Sequence, residues 1–213
     1  MPRDPAEATT PPLPARDRVF GAATAAGEAL LLQICFALAS LPLVTVLPAA
    51  VALQRSLREV FVGHDRASAA RFGRHFVTAL RQTWKIAVVP PAFALVAIVS
   101  AAFWASAGGV LSAVALSLLA AACGAATAAY LAFIAAAAML PRAARLHRCA
   151  FAAWALARRR PLQYAGAVVL SATWALLMGR APTLLLVSSG LVPAALAWWA
   201  AAPWMRARVK ISF

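Results

Sequence analysis

The sequence predicts an all-α polytopic transmembrane helical bundle of about five spans, with a proline-broken first segment and a cytoplasmic amphipathic helix. Three observations carry this. Of 213 residues 64% are hydrophobic and 12% charged, with a mean hydropathy of +0.81, more apolar surface than a soluble domain of this size can bury. Uncharged runs long enough to span a bilayer alternate with arginine-rich connections. Cations outnumber acids 20 to 6 and sit between those runs, as orientation signals do and as a nucleic-acid footprint does not.

Residues 1–17 hold five prolines and almost no large apolar side chain, so they read as a disordered tail. They are not a secretory signal, since the apolar stretch starts too late and lacks a small-residue cleavage pattern. Residues 18–213 form a single transmembrane domain, with Arg18–Gly27 as a short interfacial turn. From 29 to 53 the chain carries no charge, and as helix it would reach about 37 Å, enough for the roughly 30 Å hydrocarbon core. One kinked span is the simplest reading. Pro42 and Pro48 interrupt it, each lacking a backbone donor and disfavouring helix in the residue before. The rival is a re-entrant pair, 29–41 and 48–60, turning through PLVTVLP. Freed backbone at membrane depth must be buried in protein or face water, which makes Pro42, Thr45 and Pro48 the candidate kink and solute contact.

The connection 55–85 carries Arg55, Arg58, Arg66, Arg71, Arg74, Arg81 and Lys85 against Glu59 and Asp65. Gly63 to Asp65 reads as a turn, and Asp65 or Ser68 as a cap for the next helix. There Phe72, Phe76, Leu80 and Trp84 recur every fourth residue, a stripe that lies in the acyl boundary of the cytoplasmic interface or packs under the bundle. Glu59, four residues after Arg55, reads as a helix-surface ion pair with it.

The second span is 86–105, with Pro90 and Pro91 in its first turns and Trp104 at its outer end, before a tight turn at Gly108 and Gly109. The third, 112–138, lies in an uncharged run longer than a bilayer needs, which implies tilt or projection. Ala120, Gly124 and Ala128 give it small residues at every fourth position, as do Ser171, Ala175 and Gly179 later, so other helices can approach closely within the chain or in a homo-oligomer. The connection 141–161 holds Arg142, Arg145, Arg148, Arg158, Arg159 and Arg160 and no acid. Spans 162–178 and 183–204 follow, the last ending in an aromatic belt of Trp198, Trp199 and Trp204.

The two long connections carry seven and six cations, the last residues three, and the turns near Gly108 and Arg180 none and one. Positive-inside places the long connections and the C-terminus in the cytoplasm. A single span over 29–53 puts the N-terminus outside, and a hairpin puts it inside.

The proline-broken LPLVTVLPAAVAL from Leu41, the helix with Arg55 and Arg58, the turn at Gly63 to Asp65 and the ArgPhe-x3-Phe pattern at Arg71 to Phe76 resemble the YesL family of bacterial integral membrane proteins, the domain of unknown function 624. The CAFAAWALARRRPLQY block before Pro161 fits as well, and the likeness covers residues 18–210. Leu47 stands where the family often has Gly. The resemblance implies a small helical bundle of the bacterial inner membrane, linked to carbohydrate ABC transporters and glycan use, with no catalytic residue to carry over.

The residues themselves offer no catalytic constellation, cofactor site or metal site. The six acids, Asp4, Glu7, Asp17, Glu28, Glu59 and Asp65, avoid mid-membrane, which counts against ion-coupled transport. His64, His75 and His147 lie in basic connections without metal-ligand spacing and read as solvated. Ser171 and Thr173 lack a partner base, and Cys35, Cys123 and Cys149, without CxxC spacing, read as packing residues. Two functions are expected. One is a non-enzymatic accessory or regulatory membrane protein whose Arg55, Arg58, Arg71, Arg74, Arg81, Lys85, Arg158, Arg159 and Arg160 contact the anionic inner leaflet or an acidic partner. The other is a small permease or channel for a neutral or anionic solute at 42–48, with Thr45 as its polar contact.

Overall fold

The computed structural model describes residues 15–63, 69–140, 146–180 and 189–209, and their regular structure is entirely helical. In chain order the helices are α1 (Ala15–Ala39), α2 (Val46–Gly63), α3 (Ala69–Thr83), α4 (Val89–Ala107), α5 (Gly109–Met139), α6 (Leu146–Arg159), α7 (Pro161–Arg180) and α8 (Leu191–Val209). The tail as far as residue 14, the cap at Asp65 or Ser68, Arg66, Arg142, Arg145, Lys210 and the expected start of the last span at 183 lie outside the described residues.

The run 29–53 is not one helix. α1 ends at Ala39 because Leu41 precedes Pro42, where helical backbone clashes with the proline ring. Pro42 is extended (φ −75°, ψ 107°) and leads into a 3-10 turn at Leu43–Thr45. α2 then starts at Val46 and takes Pro48 into its first turn, where no intrahelical donor is missing. The two helices pack against each other as a hairpin. Residues 18–27, expected as an interfacial turn, belong to α1, which already begins at Ala15.

The core sits around the first three turns of α2 and the last turns of α5, where Arg55 and Arg58 also lie. α2 is buried on every side from Leu47 to Leu57, and α5 from Ile134 to Ala138. α3 packs on α2, α6 packs on α5, and α1, α7 and α8 close the flanks. Two units therefore share a plan, α1–α2–α3 and α4–α5–α6: a hairpin followed by an amphipathic basic helix. They differ in length. α5 has 31 residues, about 46 Å at 1.5 Å per residue, and with α4 it runs beyond the core as an apolar hairpin.

That hairpin turns on Gly108 and Gly109, whose φ values of 67° and 82° lie in the left-handed region, open to glycine without steric penalty. The Ser112 hydroxyl donates to the Trp104 carbonyl across the turn. α4 starts at Val89, three residues after the expected 86, with Pro90 and Pro91 in its first turn as expected. Of the small residues on α5, Gly124 meets α7: a Cβ there would stand 3.5 Å from Val168 Cγ1. That small face is used within the chain.

Candidate functional site

α2 brings two arginines to the end of α5. The last carbonyls of a helix have no intrahelical partner and carry the negative end of its dipole. Here the Leu140 N–H donates to the Ala136 carbonyl at 3.1 Å. The Ala137 carbonyl accepts from Arg55 Nε at 3.3 Å and Nη2 at 3.0 Å, and the Ala138 carbonyl from Arg58 Nη1 at 3.3 Å. Arg55 Nη2 also donates to Gln82 Oε1 of α3 at 3.3 Å. A buried guanidinium is tolerable because these acceptors replace its water. Arg55 is only 6% exposed, so it is no lipid contact; it clamps α2, α3 and α5 together. Cys149 of α6 feels the same charge: burial pushes its thiol up, and the Arg55 guanidinium pulls it partly back.

α3 lies on α2 with Phe72, His75, Ala79 and Thr83 buried. The stripe, expected either to meet lipid or to pack under the bundle, is thus divided, with Phe72 inside the protein and Trp84 exposed. The reason is that α2, buried all round, needs a cover where it leaves α1. His75 Nε2 lies 3.1 Å from Glu59 Oε2, so His75 is a buried partner of Glu59 rather than a solvated loop residue. Beside this pair Glu59, Arg71, Gly73, Arg74 and Thr78 line a groove of about 760 Å³. Arg74 and Arg81 are exposed along α3 and Lys85 in the turn after it, where Lys85 Nζ stands 5.8 Å from the centre of the Trp84 ring. At the end of α6, Arg158, Arg159 and Arg160 are exposed, with Arg158 Cζ 5.2 Å from the Trp154 ring and Arg160 Nη1 donating to Gln163 Oε1 at 3.3 Å.

The broken segment is satisfied from within. Thr45 Oγ1 lies 2.5 Å from the Ala39 carbonyl and 2.6 Å from that of Pro42. Its single proton is directed at the turn's own backbone, which makes Thr45 a cap for the end of α1 rather than a ready solute contact. Pro48 is fully buried and Pro42 exposed.

Sequence reasoning missed Gln33. It is 1% exposed, donates from Nε2 to Ser189 Oγ at 3.1 Å and accepts the Leu191 N–H on Oε1 at 3.0 Å. The first N–H groups of α8 lack intrahelical acceptors, and Gln33 supplies one from α1. Gly190 beside it fits only without a side chain, since a Cβ would meet Phe36 Cδ1 at 2.5 Å and Gln33 Oε1 and Leu53 Cδ2 at 2.8 Å. The one available signal was a long amide inside an uncharged run.

Among the described residues no three His, Cys, Asp or Glu side chains group as metal ligands. Comparison with protein-family models, curated proteins and solved structures gives no match. Over the described residues, fold and site together define an all-helical protein in which α4 and α5 are long and apolar enough to cross a membrane.

Proposed function

We propose that this chain is a non-enzymatic, multi-pass protein of the bacterial inner membrane, an accessory or regulatory component whose basic cytoplasmic end contacts anionic lipid or an acidic partner protein. One observation carries the membrane part. α4 has no buried residue, and Leu95, Ile98 and Phe103 are 64%, 67% and 62% exposed. Leaving such side chains in water forgoes about 1.5–3 kcal/mol each, so the hairpin needs a bilayer around it. The link to carbohydrate uptake follows from the YesL resemblance, which offers an ABC transporter as partner.

The same geometry favours the hairpin form of the first segment. Arg55 is level with the end of α5 through the Ala137 carbonyl, and only Val46 to Leu53 of α2 precede Gln54 and Arg55, a rise of about 12 Å. That is under half of the hydrocarbon core. α1 and α2 then dip in from the basic side and return, α4, α5, α7 and α8 cross, and both termini lie in the cytoplasm by the positive-inside rule. The permease reading loses weight with Thr45 engaged in its own turn.

The test is in-cell photocrosslinking from α3, comparing the parent with Arg74→Glu/Arg81→Glu. A captured membrane partner that disappears in the charge-reversed protein is expected. Unchanged capture removes the role of the basic end, and specific solute flux through the purified parent in proteoliposomes overturns the accessory reading.

A further inference from the structure

The outward face of α6 is an aromatic and cationic surface that nothing among the described residues covers. On α6, Cys149 and Ala153 are buried, while Phe151 and Trp154 are 76% and 61% exposed, and Leu162 at the start of α7 is 86% exposed. Phe151, Trp154 and Arg158 fall at helix spacings of three and four, on one side of α6. The guanidinium over the Trp154 ring joins the apolar body to a cation. A second such pair, Trp84 with Lys85, stands at the joint before α4. Rings with an apolar body and a polar or charged handle belong at the headgroup level of a bilayer.

Charge complementarity selects the occupant. No acid follows Asp65 anywhere in the chain, so α6 offers Arg148, Arg158 and Arg159 with no carboxylate of its own segment among them. An anionic headgroup layer answers both the charge and the aromatic edge. α3 does not compete for this role, because Phe72 and His75 are turned into the protein.

We propose that the Phe151–Trp154–Arg158 face of α6 is a lipid-docking surface, seated in the headgroup layer of an anionic leaflet with its aromatics at the acyl boundary. This rests on the reading that α4 and α5 cross the bilayer. It makes α6, not α3, the interfacial helix.

The experiment uses the full-length protein, free of its native cysteines, in nanodiscs of phosphatidylglycerol or phosphatidylcholine. An environment-sensitive fluorophore is attached at Phe151→Cys or, as reference, at Ile98→Cys, and quenched by a shallow lipid nitroxide or a water-soluble one. In phosphatidylglycerol, lipid quenching at 151 should exceed aqueous quenching at least twofold, and R158Q/R159Q/R160Q should lower the ratio to its phosphatidylcholine value. Aqueous quenching at 151 with lipid quenching at 98 overturns the docking surface and leaves the membrane reading standing. Aqueous quenching at both positions overturns the membrane reading itself. Shielding of 151 from both quenchers assigns the face to protein, and equal ratios in the two lipids remove the anionic leaflet as its occupant; either result overturns the proposal.

Discussion

Gly190 and Gln33 show how little room the junction of α1, α2 and α8 leaves. Gly190→Ala pushes a methyl against Phe36, Gln33 and Leu53, and overpacking of this kind costs about 1–3 kcal/mol. A lower midpoint in detergent thermal unfolding is expected, and an unchanged midpoint would show that the junction yields. Gln33→Leu should cost a similar amount by a different route, since it leaves the Leu191 N–H without the acceptor it now has. Cys149 adds a pH dependence. Its folded thiol is raised above its ordinary value of 9.0, so its contribution to stability is fully present below that pH and lost as pH rises through the higher folded value. The unfolding midpoint should therefore fall above about pH 9, and Cys149→Ala should flatten that limb. Arg55→Met removes the opposing charge and should raise the thiol further, slowing maleimide labelling at a given alkaline pH.

Among elements, α4 and α2 are opposites. α4 is apolar on all sides and packs mainly along α5, with a smaller contact to the 3-10 turn at Leu43–Thr45, whereas α2 is buried on all sides from Leu47 to Leu57 and carries Gln54, Arg55 and Ser56 into the core. A helix of the first kind depends on its solvent; one of the second depends on its neighbours. Ile98→Asp places a charge at the middle of α4, which costs about 2.5–3.5 kcal/mol for insertion. The variant should leave the membrane fraction or be degraded, while Ile98→Leu should not; equal membrane yields would mean that α4 lies outside hydrocarbon. The helical periodicity of α3 was legible, with Phe72 and Trp84 on one stripe, but not which of the two would be covered. That depended on where α2 left an open side. Glu59 was legible as a charge partner, and its meeting with His75 across two helices was not, because helix spacing reports only neighbours on the same helix.

For the whole molecule, the hairpin reading of α1 and α2 predicts a cytoplasmic N-terminus. Single cysteines at Ala15 and Ser106, in a cysteine-free background in cells, should respond oppositely to a membrane-impermeant maleimide: Ser106 labelled from outside, Ala15 only after permeabilisation. Labelling of Ala15 from outside would restore a full crossing by residues 29–53. What the sequence by itself determined is the class of structure: uncharged runs, prolines at 42, 48, 90 and 91, and paired glycines at 108 and 109 act through local backbone chemistry and solvent preference, and these set the helical elements and the apolar α4–α5 hairpin. Only the tertiary structure decided the fate of the arginines. Arg55 and Arg58 look the same in sequence as Arg158 and Arg159, but the first two cap the end of α5, Arg55 from inside the core and Arg58 from the surface, while the other two stay exposed away from it, because a guanidinium's role depends on which acceptors come within about 3 Å of it, and those acceptors belong to a helix some 80 residues away.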